Sequence, residues 1–141
     1  MTAPDFQVTF DTTDCHALAR FWAAALGYDV EDHHDQITEL LAAGVATGAD
    51  VVEIDGRRAW KVGTGCRDPE GRRPRLLFQD VPEAKTVKNR VHLDVFVGDE
   101  ARAAEVERLI GLGASFLHDG HLGPSTWVTM ADPEGNEFCL A

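Results

Sequence analysis

One four-residue phrase, Asp-Pro-Glu-Gly, occurs twice in this chain, at 68–71 and 132–135, each time just ahead of a short apolar run. A second pair of landmarks keeps the same order, because Gln7 stands seven residues before Asp14 and His92 seven residues before Asp99. Two matches in one order point to an internal duplication, in which one supersecondary unit is built twice. A chain of 141 residues is the size of a single domain, so two such units fit and a second domain is not needed.

The second half reads more clearly. Residues 90–97 alternate in the two-residue period of a strand, with Arg90, His92, Asp94 and Phe96 on one face and Val91, Leu93, Val95 and Val97 on the other. Asp99 then offers a helix cap, Ala103, Val106 and Ile110 (with Leu109) an apolar stripe over 100–112, and Gly113 a stop. Strands are expected at 115–118, 126–130 and 137–140, with turns at Asp119-Gly120 to Pro124 and at Asp132-Pro133-Glu134-Gly135.

The first half repeats the order strand, helix, strand, strand, strand. Gln7, Thr9 and Asp11 share one face of a strand over 6–11, and a helix capped by Asp14 carries Leu18, Phe21, Trp22 and Leu26 as far as Gly27. Further strands are expected at 28–32, 58–62 and 75–79. An extra helix over 36–46, with Ile37, Leu40, Leu41 and Val45 apolar, has no counterpart in the second half.

Charge excludes one class of partner. With 24 acidic and 13 basic side chains the net charge is −11, a field that repels nucleic-acid backbones and anionic lipid. The run Arg67 to Arg75 is locally basic but surrounds an Asp-Pro-Glu-Gly turn and reads as solvated. No apolar run reaches the roughly 18 residues of a membrane span, and the start Met1 to Asp5 has no basic, apolar leader, so a cytoplasmic protein is expected. Cys15, Cys66 and Cys139 form no Cys-x-x-Cys pair and are expected to be free thiols.

Three stretches, Phe21-Trp22-Ala-Ala-Ala-Leu-Gly27, Asn89 to Val95 and Asp132 to Leu140, resemble the glyoxalase-like branch of the vicinal oxygen chelate superfamily. The resemblance runs over nearly the whole chain and is specific for the superfamily, not for a reaction. It implies an α+β fold of two βαβββ modules forming a cup-shaped mixed sheet, module 1 over about 5–80 and module 2 over about 89–141. The polar faces of both modules would then share a small-molecule pocket. It also implies that metal-dependent members place ligands on the first and last strand of each module. Carried over by residue, those positions are Gln7, Leu77, His92 and Cys139. Leucine has no lone pair to offer, so the pattern departs from a metal enzyme's. No cofactor is expected on this reading. Were a divalent metal bound, Gln79 and Glu137, each two residues from the departing position on its own strand, would complete a shell of Gln7, Gln79, His92 and Glu137.

Without a metal the same face remains chemically suggestive. His92 and Glu137 are the candidate catalytic pair, since a carboxylate neighbour orients an imidazole for proton transfer. Gln7, Thr9, Trp60, Gln79, Arg90, Asp94, Trp127 and Cys139 are the candidate pocket residues, with Trp60 and Trp127 on matching third strands. These groups alternatively satisfy one another in a network that fixes register. His33-His34 and the pair His118 and His121 lack a third ligand, while Lys85, Lys88 and Asn89 lie on the segment joining the halves. Three functions follow: a lyase or isomerase acting on a small oxygenated or aromatic molecule, a metal-free drug-sequestering binder, or a structural domain. A homodimer is a further expectation.

Overall fold

A computed structural model describes residues 1–141. They divide into two compact units, Met1–Pro82 and Glu83–Ala141. The first runs β1 (Val8–Thr12), α1 (Cys15–Leu26), β2 (Asp29–Val30), α2 (His34–Ala42), a short 3-10 turn (Gly48–Asp50), β3 (Val51–Ile54), β4 (Arg57–Trp60), β5 (Gly63–Arg67) and β6 (Leu76–Asp80). The second runs β7 (Asp94–Val95), α3 (Asp99–Leu112), β8 (Ser115–Leu122), β9 (Ser125–Ala131) and β10 (Glu137–Leu140).

Both sheets have one topology. The first is ordered β1-β6-β5-β2 and the second β7-β10-β9-β8, so in each the first strand lies beside the last and parallel to it, while the other neighbours are antiparallel. Each unit is therefore a βαβββ mixed sheet, and the fold class is α+β. The first unit carries α2 and the β3–β4 hairpin as an insertion between its second and third sheet strands.

The helix of the first unit forms for local reasons. Asp14 caps it, its carboxylate accepting from Ala17 N at 3.0 Å, and Gly27 ends it in the left-handed region at φ 71°. Asp80, at the end of β6, accepts from Cys15 N at 2.7 Å and from the Thr12 hydroxyl at 2.8 Å, tying sheet to helix start. The apolar stripe of α1 then closes on β5 and β6 with Leu18, Phe21 and Trp22 buried. Phe10 stacks on Phe78 at 5.1 Å and meets Trp22 at 5.5 Å. Each such side chain contributes about 1.5–3 kcal/mol on burial.

Several expectations change. The extra helix spans His34–Ala42 rather than 36–46, and Val45, outside it, is 73% exposed. The expected strand at 58–62 is not the third sheet strand. Arg57–Trp60 pairs instead with Val51–Ile54 across an Asp55-Gly56 turn, both residues at positive φ, and the third strand is Gly63–Arg67. Asp119-Gly120 is not a turn but strand interior, because the chain reverses at Gly123-Pro124 between Leu122 and Ser125. The stripe of α3 is rotated: Leu109 is buried and Ile110 is 41% exposed, with Arg102 in the preceding position donating to Thr126 Oγ1 at 3.0 Å. Gly98 rather than Asp99 occupies the cap position. The first strand of the second unit is ladder-paired only at Asp94–Val95, although Leu93 and Ala141 extend its hydrogen bonds as far as Val97.

A candidate proton-transfer site in the second unit

The register of the two sheets fixes which positions correspond. Thr9 lies opposite Leu77 in the first unit, and Asp94 opposite Cys139 in the second. Two residues back along both strands, Gln7 corresponds to His92 and Arg75 to Glu137. The common topology thus sets Gln7, Thr9, Arg75 and Leu77 against His92, Asp94, Glu137 and Cys139.

In the second unit the inward-facing residues line a cleft of about 430 Å³ that includes Lys88, His92, Asp94, Phe96, Trp127 and Cys139. His92 Nδ1 lies 2.8 Å from Asp94 Oδ1. A carboxylate can only accept, so the ring proton sits on Nδ1 and the lone pair is left on Nε2. Cys139 stands beside this pair. The donor atoms of His92, Asp94 and Cys139 all lie within 4.8 Å of one another. Burial pushes the Cys139 thiol above its ordinary range and Asp94 adds to the rise, against the Thr129 hydroxyl at 3.6 Å and the charge of Lys88. The thiol is therefore neutral at ordinary pH.

Glu137 also lines the cleft, but its carboxylate is held by the segment before β7. One oxygen pairs with Lys85 Nζ at 3.3 Å, and the other accepts from Asn89 N at 2.9 Å. Burial would raise its carboxyl, but these hydrogen bonds and the lysine charge outweigh burial and hold it below the usual range. It remains an anion that pins residues 85–89 to β10. Arg90 is exposed and outside the cleft lining, whereas Trp127 lines it.

The corresponding face of the first unit is closed on itself. Arg75 donates to Glu31 Oε1 at 2.6 Å and to Gln7 Oε1 at 3.1 Å, and Arg67 reaches Glu31 Oε2 at 3.3 Å. Glu31 lies over Gly65, where a Cβ would stand 2.1 Å from its carboxylate. Gln79 donates to Asp11 at 2.9 Å, and Thr9 is exposed on the same face. Trp60 lines a separate cleft of about 780 Å³ with His33, Arg75 and Leu77, and its carbonyl accepts from His16 Nε2 at 2.7 Å. The register counterpart of Trp127 is thus Gly63, not Trp60.

Each residue of the expected metal shell has partners within its own unit. Gln7 serves Arg75, Gln79 serves Asp11 and Glu137 serves Lys85 and Asn89, which leaves His92 with Asp94 and Cys139. One nitrogen, one carboxylate and one thiol do not fit a cation that prefers an oxygen shell. The same three donors suit a softer ion such as zinc, which would polarise an oxygen of a bound molecule.

Sequence reasoning missed Thr129, which lines the cleft, and Glu31, and weighed His118, also in the lining, only as a metal ligand paired with His121. Reading Asp119-Gly120 as a turn put His118 beside a loop, whereas it lies on β8. Thr129 was legible from its place two residues after Trp127 on one strand face.

Residues 7–141 match the model of the glyoxalase-like domain family. No curated protein matches the sequence. Among solved structures the chain is similar to a glyoxalase/bleomycin resistance protein/dioxygenase family enzyme from Burkholderia phytofirmans PsJN, at 16% identity and TM-score 0.64, over 95% of this chain and 94% of that one. It is also similar to the fosfomycin resistance protein FosX of Mesorhizobium loti, at 13% identity and TM-score 0.66, over 99% and 91%. A FosX variant from Listeria monocytogenes, solved with Mn(II) and 1S,2S-dihydroxypropylphosphonic acid, aligns at 11% identity and TM-score 0.64 over 99% and 92%. At such identities the likeness concerns the fold.

Proposed function

We propose that this chain, which belongs to the glyoxalase-like domain family, binds a small organic molecule in the cleft of its second unit and moves a proton on it, as an isomerase or lyase does. The observation that carries this reading is the 2.8 Å contact between His92 Nδ1 and Asp94 at the cleft wall. Asp94 orients the ring and stabilises the imidazolium that forms, and Nε2 is the base. A positioned base of this kind contributes about a hundredfold to ten-thousandfold in rate. Neutral Cys139 and Thr129 supply hydrogen-bonding groups beside it.

The test is deuterium wash-in followed by NMR in D2O, using a panel of α-hydroxycarbonyl compounds and aryl α-keto acids. Wild type is expected to exchange the carbon-bound proton of at least one compound, His92→Gln to lose exchange, and Asp94→Asn to slow it about tenfold to a hundredfold. Exchange undiminished in His92→Gln sinks the role given to His92.

A second reading, binding without chemistry, is favoured by the apolar walls Phe96 and Trp127. It predicts ligand binding with no exchange in the wild type. Two further parts of the proposal concern context. Three unpaired cysteines, with Cys15 and Cys66 fully buried, accord with a reducing compartment. No helix is long and apolar enough to cross a membrane. Phe116, Leu117 and Leu122, 48%, 43% and 77% exposed on β8, support pairing into a homodimer, which light scattering would read directly.

A further inference from the structure

One wall of the second unit's cleft depends on a missing side chain. Gly120 on β8 lies opposite Trp127 on β9. A Cβ at position 120 would stand 2.3 Å from both Cε2 and Nε1 of the indole and 2.7 Å from Cζ2. Those separations are far inside van der Waals contact, so the indole occupies the space a side chain at 120 would fill, and any side chain there would displace it. Held in that space, the indole lines the cleft together with Phe96 and Ala141, which add apolar surface. A flat, fixed π surface prefers a flat partner, since offset stacking adds about 0.5–1.5 kcal/mol to the burial of area.

One charge in the cleft points to the other half of the ligand, because the lining carboxylates Asp94 and Glu137 are engaged by His92 and Lys85 while the lining lysine is not. Lys88 lines it, and the ammonium's one contact within the protein is the Asn89 carbonyl at 3.5 Å. Neighbouring cations are neutralised: Lys85 by Glu137, Arg102 by Asp99. Asp94, the carboxylate closest to the base, is committed to His92. In a chain of net charge −11, a cleft lysine without a carboxylate partner is a free anion receptor.

We infer that the cleft takes a planar aromatic anion, its ring laid on Trp127 and its carboxylate or phenolate at Lys88. The inference rests on the placing of the ligand site proposed above and adds the class of ligand. Gly120 is then a specificity-determining residue, although it touches the ligand only through the indole it makes room for. A volume of about 430 Å³ accommodates a substituted ring system.

Calorimetric titration with 2-naphthoate tests this, with saturated decalin-2-carboxylate and neutral 2-naphthylmethanol as comparison probes. The aromatic acid is expected to bind about tenfold tighter than either, one ring face or one charge being lost in each comparison. Lys88→Met should lower naphthoate affinity to that of the alcohol and leave the alcohol unchanged. Gly120→Ala should lower both aromatic probes about tenfold and spare the saturated acid, and Trp127→Leu should do the same should the glycine variant fail to fold. Equal binding of the saturated acid, naphthoate binding indifferent to Lys88→Met, or no binding of naphthoate at all would overturn the inference. Deuterium exchange is read separately, so loss of naphthoate binding with exchange intact removes the ligand class and leaves the proton transfer standing.

Discussion

Glu31 shows how a single residue can close a face that its counterpart leaves open. Its carboxylate sits over Gly65, 15% exposed, between Arg75 at 2.6 Å and Arg67 at 3.3 Å. Burial works to raise its carboxyl, but the Arg75 hydrogen bond and the two guanidinium charges outweigh burial and hold it below its ordinary value of 4.5. A carboxyl that titrates lower when folded than when unfolded stabilises the fold fully above that ordinary value. The contribution disappears as pH falls through the folded value. Glu31→Gln is therefore expected to cost about 1–3 kcal/mol at pH 7, the loss of a charge-assisted bond that leaves Arg75 half-paired. Thermal melts of both proteins should converge as pH drops below about 4.5. A difference that persists undiminished into acid would mean the pair is not the source. Burial also pushes the Cys15 and Cys66 thiols up to about 12, with Asp80 assisting at Cys15 and Glu31 at Cys66. Both are core thiols.

At the scale of elements, the repeated Asp-Pro-Glu-Gly phrase is a device for entering the last strand. Asp132, 3% exposed, accepts from Glu134 N at 2.9 Å, Asn136 N at 3.0 Å and Asn136 Nδ2 at 2.8 Å. Asp68 does the same for Glu70 N, Arg72 N and Arg73 N in the first unit. Each aspartate answers main-chain donors that the tight turn leaves without partners. Asp132→Ala is expected to destabilise by about 2–4 kcal/mol in urea denaturation, and Asp132→Asn by less, because an amide oxygen still accepts. Equal losses would show that charge rather than acceptor count matters. This device was legible because it is written in local chemistry, as were the caps at Asp14 and Gly27. The misread elements share a different cause. Asp-Gly signals a hairpin turn at 55–56, where both residues take positive φ. The same dipeptide at 119–120 is strand, because Trp127 across the ladder covers the glycine. Local sequence cannot distinguish the two; the cross-strand partner does. The stripe of α3 turned for a similar reason, since Arg102, 14% exposed, is drawn in by Thr126 on β9, a partner that helix periodicity does not encode.

For the whole molecule, one topology is used twice and the chemistry has been divided unevenly. The duplication matched Gln7 to His92 and Leu77 to Cys139 as equivalent positions of the two units, correspondences that depend only on register and so were visible in the alternation of the strands. Which side chains remain available depends on partners far away in sequence, such as Glu31 to Arg75 or Lys85 to Glu137, and no periodicity encodes those. The outcome bears on metal binding. A cation that prefers oxygen would need Gln7, Gln79 or Glu137 to leave Arg75, Asp11 or Lys85, so capture must offset several existing hydrogen bonds. Binding to the folded state at a hundred times Kd would raise stability by about 2.7 kcal/mol, which a melt resolves easily. Titration with Mn²⁺ at pH 7 is accordingly expected to leave Tm unchanged. A saturable rise in Tm with Mn²⁺, abolished by Glu137→Gln, would mean that Glu137 gives up Lys85 and Asn89 for the ion.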